Sequence, residues 1–320
     1  MPDSPNSTGW CGLVELHYAN RHANPLLEET VCQNRVQTEL SNRVQTTVSH
    51  SYARAPLRLQ QSFYPEGPEV CQTVIVHTAG GMVGGDRLRV ELQLNSGTRA
   101  LLTTAAASKI YRSNGPESLQ AIEATVSAGA CLEWLPQETI VFNQARYRQV
   151  NRITLEPGGQ WLGWEITRFG RTAQRETFVT GDWRSRTEVW QNEQPLWIDR
   201  QWLPASADIW VSAHGLAQSP VVATFAWVGI EVNSDFVSQV RQLWQAQVEA
   251  LSVESLSVDS QTRAEAHRCA GVSRLEQGLV CRYRGHDRAA VQRWFVTVWQ
   301  LIRARQWGKS PPLPRVWQSA

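Results

Sequence analysis

From Leu88 onward, apolar and polar residues alternate in short stretches that each end in a turn. Leu88, Val90, Leu92 and Leu94 run into Asn95-Ser96-Gly97; Ile122, Ala124 and Val126 run into Ser127-Ala128-Gly129; Ile153 and Leu155 run into Glu156-Pro157-Gly158-Gly159. Successive side chains of a strand point to opposite sides, so a period of two marks strands with one buried face. Gly97, Gly129 and Gly159 fall 32 and then 30 residues apart, a weak internal period of the kind that stacked β-layers leave. Further short strands are expected over 161–169, 176–179, 184–190, 195–203, 208–212 and 221–232.

Helical spacing comes late. Asn233-Ser234-Asp235 can cap a helix whose apolar positions Phe236, Val240, Leu243, Trp244, Val248 and Leu251 recur at three- and four-residue steps. In a second helix Val291, Trp294, Phe295, Val298, Leu301 and Ile302 form one apolar stripe, with Arg288, Arg293, Arg303 and Arg305 off it. Gly308 and the prolines 311, 312 and 314 end this helix and leave an extended tail through Trp317. The chain therefore reads as mainly β, a layered helical arrangement of strands resembling a β-solenoid, with two α-helices toward the C-terminus near 235–251 and 288–305. Residues 55–320 are expected to form a single domain, and residues 1–54 to pack against it as edge strands.

The glycine turn Gly80-Gly81-Met82-Val83-Gly84-Gly85-Asp86-Arg87 interrupts the alternation. Glycine serves where the backbone takes positive φ or approaches another group closely. Asp86 and Arg87 stand where a Walker loop would need Lys and Ser or Thr, and the spacing is wrong for a dinucleotide fingerprint. The plain reading is a specified turn with Asp86 bonding its own backbone.

Composition narrows the chemistry. The 320 residues are 42% hydrophobic and 19% charged, ordinary for a globular protein. The polar opening Met1-Pro2-Asp3-Ser4-Pro5-Asn6 resembles no secretory signal, and no run of eighteen apolar residues occurs. These features predict a soluble, cytoplasmic protein away from the membrane. The six cysteines at 11, 32, 71, 131, 269 and 281 contain no Cys-x-x-Cys pair, and the seven histidines are dispersed, so a closed transition-metal cage is not written locally. Residues 263–315 carry a net charge of +8 on an otherwise acidic chain, which suggests an electrostatic docking face. Only Lys109 and Lys309 are lysines among 31 basic residues, and arginine favours planar contacts to carboxylates. Fifteen tryptophans, fourteen of them at or after Trp134, fit core packing better than a ligand platform.

Acids sit inside apolar runs at Glu133, Glu138 and Glu165, with Glu176 following Gly170-Arg171. A buried carboxylate is costly unless paired or bound to a cation. Two readings stand: Arg171 or a neighbouring arginine neutralises such an acid in an internal ion pair, or the acids line a polar interior able to pass a divalent metal. An enzyme reading lacks a Gly-x-Ser-x-Gly elbow or a His/Asp/Ser set. A nucleic-acid reading would rest on the basic C-terminal part alone, without the aromatic interleaving of an RNA-binding sheet.

Taken in order, several segments form one pattern: Pro56-Leu57-Arg58-Leu59-Gln60, Tyr64-Pro65-Glu66, the glycine turn ending in Asp86, Leu101-Leu102-Thr103-Thr104, Lys109-Ile110-Tyr111-Arg112-Ser113, the 132–142 run, Gly163-Trp164-Glu165, Gly170-Arg171, Gly278-Leu279-Val280-Cys281-Arg282-Tyr283 and Pro314-Arg315-Val316-Trp317. This succession, over about residues 55–317, resembles the UreD family of urease accessory proteins, also called UreH. His77-Thr78-Ala79 departs from the prolines common before the double glycine, and Arg175 stands where the family usually has glycine. The resemblance implies a non-enzymatic metallochaperone scaffold that bridges apo-urease to the UreF and UreG accessory proteins in a hetero-oligomer. It implies no tightly bound cofactor, with Ni2+ passing transiently through the interior. Under that reading Asp86, Glu133, Glu138, Glu165 and Glu176 are the candidate path acids, His77 lies at the rim, and Gly80, Gly81, Gly84 and Gly85 shape the turn. Arg293, Trp294, Arg303, Arg315 and Trp317 are the candidate partner-binding residues.

Overall fold

The computed structural model describes residues 9–22, 44–254 and 270–317. Two sheets and a pair of long helices form three layers. The seven-stranded sheet contains β1 (Cys11–His22), β2 (Val44–Arg54), β5 (Arg87–Leu94), β8 (Ser118–Val126), β11 (Arg146–Leu155), β13 (Asp182–Gln191) and β14 (Gln194–Pro204), in the order β14-β13-β11-β8-β5-β1-β2. The main path of the ten-stranded sheet is β16-β17-β15-β12-β9-β6-β4-β3. Its strands are β3 (Leu57–Leu59), β4 (Val70–His77), β6 (Arg99–Thr104), β9 (Cys131–Trp134), β12 (Gln160–Phe169), β15 (Val221–Val228), β16 (Ala270–Leu275) and β17 (Gly278–Gly285). Short strands β7 (Ser108–Ile110) and β10 (Thr139–Val141) branch from it beside β12.

The chain passes alternately between the sheets, and strands reached in successive passes pair in parallel: β4, β6, β9 and β12 in one sheet, β5, β8, β11 and β13 in the other. The result is a β-solenoid-like stack of about four turns. The turns align as well as the strands. Gly97, Gly129 and Gly158 all take positive φ, and Gly129 N–H donates to the Gly158 carbonyl at 3.2 Å. Gly158, one residue before the glycine expected from the spacing, therefore continues the stack. At a second corner Met82, Ile110, Val141 and Phe169 pair in register from coil to coil, all buried.

The strand boundaries mostly follow the alternation, with three departures. Residues 176–179 form no strand. Residues 208–211 fall in a short helix, α1 (Ala207–Val211), with Ser212 just beyond its end, because Ser206 caps it by accepting a hydrogen bond from the Ile209 N–H at 3.1 Å. β15 stops at Val228 because Gly229 turns the chain with φ 97°. Helix α2 (Ser234–Glu254) begins at Asn233, whose side chain accepts from the Phe236 N–H at 3.0 Å, and α3 (Arg288–Trp307) ends at left-handed Gly308.

One apolar core fills the space between the sheets, and a second lies between the ten-stranded sheet and α2 and α3. The ten-stranded sheet is thus covered on both faces, which explains why β12 reads as a nearly continuous apolar run rather than an alternating one. Arg303, placed off the α3 stripe by the helical spacing, is instead buried at 1% exposure.

Candidate functional site

Glu165 lies on the β12 face that meets the seven-stranded sheet. Its carboxylate accepts from Gln149 Nε2 at 2.9 Å, Ser185 Oγ at 2.8 Å, Thr187 Oγ1 at 3.2 Å and the Asn151 amide. These donors come from inward positions of β11 and β13. Burial raises the Glu165 pKa, the Ser185, Thr187 and Asn151 hydrogen bonds lower it, and nearby Asp199 raises it. Every donor among the described residues is neutral, so the carboxylate is solvated there by dipoles without a counter-charge.

The polar seam continues beyond Glu165. Asn151, Glu165, Thr187, Asp199 and Thr224 line a void of about 10 Å³, room for roughly one water molecule. Thr224 also lines a surface cleft of about 580 Å³ with Gln201, Trp202 and Arg282. Gln201 Nε2 spans Asp199 at 2.8 Å and Thr224 at 3.2 Å, and Arg282 grips Asp199 through two nitrogens at 2.7 and 3.2 Å.

Glu133 occupies the opposite face of the same sheet, toward α3. Its Oε1 accepts from Trp299 Nε1 at 3.1 Å and lies 3.0 Å from Arg303 Nε. Arg303 also reaches Glu66 at 2.9 Å and stacks on the Trp307 ring at 4.0 Å. Burial pushes the Glu133 carboxyl up to about 7; Arg303 opposes this and Glu66 adds to it. Beside it, burial pushes the Cys131 thiol up to about 12, which disfavours the thiolate a metal would need.

The other candidates have defined partners. Glu138 is held by Arg168 at 3.0 Å and faces Arg288 at 3.5 Å. Burial alone would raise the Glu176 carboxyl, but hydrogen bonds from Arg171 and the Asn143 N–H outweigh it and hold the pKa below the usual range. Arginine pairing of the kind weighed from the sequence is therefore present at Glu133, Glu138 and Glu176, internal at Glu133 and partly exposed at Glu176. Asp86 accepts from the Trp10 and Val83 N–H groups, each at 2.8 Å, and so closes the glycine turn. In that turn Gly85 has φ 95°, and a Cβ at Gly84 would lie 2.2 Å from Ser113 Oγ. Half-buried His77 has its pKa lowered by burial, with Asp86 opposing. Of the five acids, Glu133 and Glu165 point to opposite faces of the ten-stranded sheet.

Among the partner-binding candidates, Arg293 and Arg315 are exposed, whereas Trp294, Arg303 and Trp317 are buried in the chain's own core. Trp317 Nε1 donates to Thr103 Oγ1 at 3.0 Å, and its ring packs on Trp164 and Trp299 at 4.9 and 5.3 Å.

The sequence profile of the family described as UreD urease accessory protein matches residues 33–318. The chain belongs to the UreD family. Relatives bearing the name urease accessory protein UreD include one from Nostoc punctiforme, 46% identical over 99% of both chains, and one from Acaryochloris marina, 50% identical over 85% of this chain and 90% of the relative. A third, from Thermosynechococcus vestitus, is 43% identical over 97% of this chain and 98% of its own. In this UreD chain no helix among the described residues is long and apolar enough to cross a membrane. Nor do three His, Cys, Asp or Glu residues form a ready-made cage there.

Sequence reasoning missed most of the Glu165 environment: Gln149, Asn151, Ser185, Thr187, Asp199 and Arg282. The available signal was polar residues on the inward parity of two strands, Tyr147-x-Gln149-x-Asn151-x-Ile153 and Trp183-x-Ser185-x-Thr187-x-Val189. Polar side chains at alternating core positions need a common partner, and Glu165 is that partner.

Proposed function

We propose that this chain is a non-catalytic, cytoplasmic scaffold for nickel insertion into apo-urease, bridging urease to UreF and UreG in a hetero-oligomer. Ni2+ is its cargo, held only in transit. The observation that carries the reading is Glu165, a carboxylate in the interior with four neutral donors and no arginine among the described residues, beside a small void that shares Thr224 with a surface cleft. Such a group recovers its desolvation cost when a cation arrives, and oxygen ligands release that cation more readily than a thiolate cage would. Glu133, Glu138, Glu176 and Asp86 are weaker path candidates because arginines or backbone N–H groups already occupy them. His77 retains its place at the rim.

Partner contact falls to the exposed side chains Arg293 and Arg315, while Trp294, Arg303 and Trp317 act indirectly by holding α3 and the tail in place. The test is co-expression of the urease subunits with all accessory proteins, the wild-type chain being replaced by Glu165→Gln or Glu165→Ala. The expected result is an intact accessory complex with reduced nickel per urease active site. Full nickel loading with either variant would overturn the transit role. Arg293→Glu should weaken UreF capture without changing the unfolding midpoint, and Arg315→Glu should weaken it as well; unchanged capture by both variants would remove that surface from the interface.

A further inference from the structure

Away from this interior, two imidazoles stand side by side on the outer face of the seven-stranded sheet. His17 of β1 and His50 of β2 are direct cross-strand partners, and their ring centroids are 4.7 Å apart at an interplanar angle of 42°. The carboxylate Oε2 of Glu15, two residues along the same face of β1, lies 3.5 Å from His50 Nε2. Both long strands fix the backbone here: β1 pairs with β2 on one side and with β5 on the other, placing His17 beside Gln93. Immediately after the pair the register slips, so that Tyr18 faces Val48 and Ser49 is extra; its hydroxyl donates to the His17 carbonyl at 3.2 Å. The bulge lies directly beside the His17–His50 pair, in the middle of β2.

We propose that His17 and His50 form a two-imidazole chelate for a borderline divalent transition ion, Ni2+, Cu2+ or Zn2+, supported by Glu15. Two metal-bound nitrogens at bond lengths near 2.0–2.1 Å sit roughly 3 Å apart. Rings on a direct cross-strand pair, with Cβ atoms about 5 Å apart, reach that separation by side-chain rotation alone. Imidazole selects these ions over Mg2+ and Ca2+, which prefer oxygen ligands. Glu15 adds negative charge and is placed to accept a hydrogen bond from His50 Nε2–H, the arrangement that leaves the other ring nitrogen for the ion. With only two protein nitrogens, water completes the coordination sphere, so the site is an open surface site that exchanges its ion. Its outer-face position separates it from the inward-facing Glu165 cluster, and it does not depend on the transit reading.

The test is equilibrium dialysis of the full-length chain against Ni2+, Zn2+ and Mg2+ separately, comparing wild type with His17→Ala, His50→Ala, the double variant and Glu15→Gln. His286→Ala is the control, because His286 is exposed on another part of the fold. Wild type and H286A should bind one more equivalent of Ni2+ or Zn2+ than the double variant, with no matching difference for Mg2+. Glu15→Gln should weaken that equivalent about tenfold. Cu2+ electron paramagnetic resonance should show coupling to two imidazole nitrogens, lost in the double variant. Equal stoichiometry and affinity in wild type and double variant, with unfolding midpoints unchanged, would overturn the proposal. A normal metal equivalent here alongside full urease loading by Glu165→Gln would reject the transit route while leaving this site standing.

Discussion

Glu133→Gln should change how stability depends on pH. Glu133 is 2% exposed and is raised from 4.5 to about 7, because burial outweighs the pull of Arg303 and Trp299. The folded state therefore holds a proton that the unfolded state releases between these values, so the stability the group contributes is fully present below about pH 4.5 and is lost as pH rises through about 7. A difference of 2.5 in pKa, at about 1.36 kcal/mol each, corresponds to about 3 kcal/mol. Glutamine keeps an oxygen for Trp299 Nε1 and does not titrate. Urea unfolding of both proteins at pH 5, 6, 7 and 8 isolates the effect, since the other titrating groups cancel in the difference. Relative to its position at pH 5, where the unfolded carboxyl is already mostly ionised, E133Q should gain roughly 2–3 kcal/mol on wild type by pH 8. A constant difference across the range, or one moving the other way, would refute the reasoning that burial dominates over the ion pair.

Four further outcomes follow from the packing. Arg303→Met leaves Glu133 and Glu66 without their shared cation and should cost about 3–5 kcal/mol at pH 8, less in the E133Q background, as read from a double-mutant cycle. Trp317→Ala should cost roughly 3–5 kcal/mol in chemical denaturation by opening the contact with Trp164 and Trp299. Asp86→Ala strands the Trp10 and Val83 N–H groups and should cost about 1–3 kcal/mol for each that water does not reach. Arg175, at φ 54°, occupies the left-handed region that glycine takes without strain, and Arg175→Gly should raise stability by about 1 kcal/mol in the same assay.

The stacked coils were legible because strands with one face on an apolar core must alternate, and because equivalent turns need equivalent residues. Gly97 and Gly129 marked the period for that reason, and Gly158 rather than Gly159 takes the third position because it carries the positive φ. The strand expected at 208–212 failed because its apolar pattern is too short to set a period, and the Ser206 cap decided for a helix. The acids were legible as misfits in apolar runs, but their partners were not. Arg303 lies 170 residues from Glu133 in the chain and looked like a solvent-facing member of an amphipathic helix; only the docking of α3 on the sheet, with Trp299 and Trp307 flanking the guanidinium, turns it inward. The two faces of a sheet covered on both sides cannot be told apart from residue type alone, so Glu133 and Glu165 looked alike although they point in opposite directions.

The return of the C-terminal helix and tail onto the early coils has a consequence for synthesis. Arg303 is the partner of Glu66, 237 residues earlier, and Trp317 packs against Thr103, 214 residues earlier. A ribosome-bound chain can stack its coils as they emerge, yet Glu66 and Glu133 must await Arg303 of the much later α3 for their cation. Until α3 emerges, the helix-facing side of the ten-stranded sheet is an open apolar surface bearing uncompensated carboxylates, and the nascent chain completes its second core only once α3 has docked.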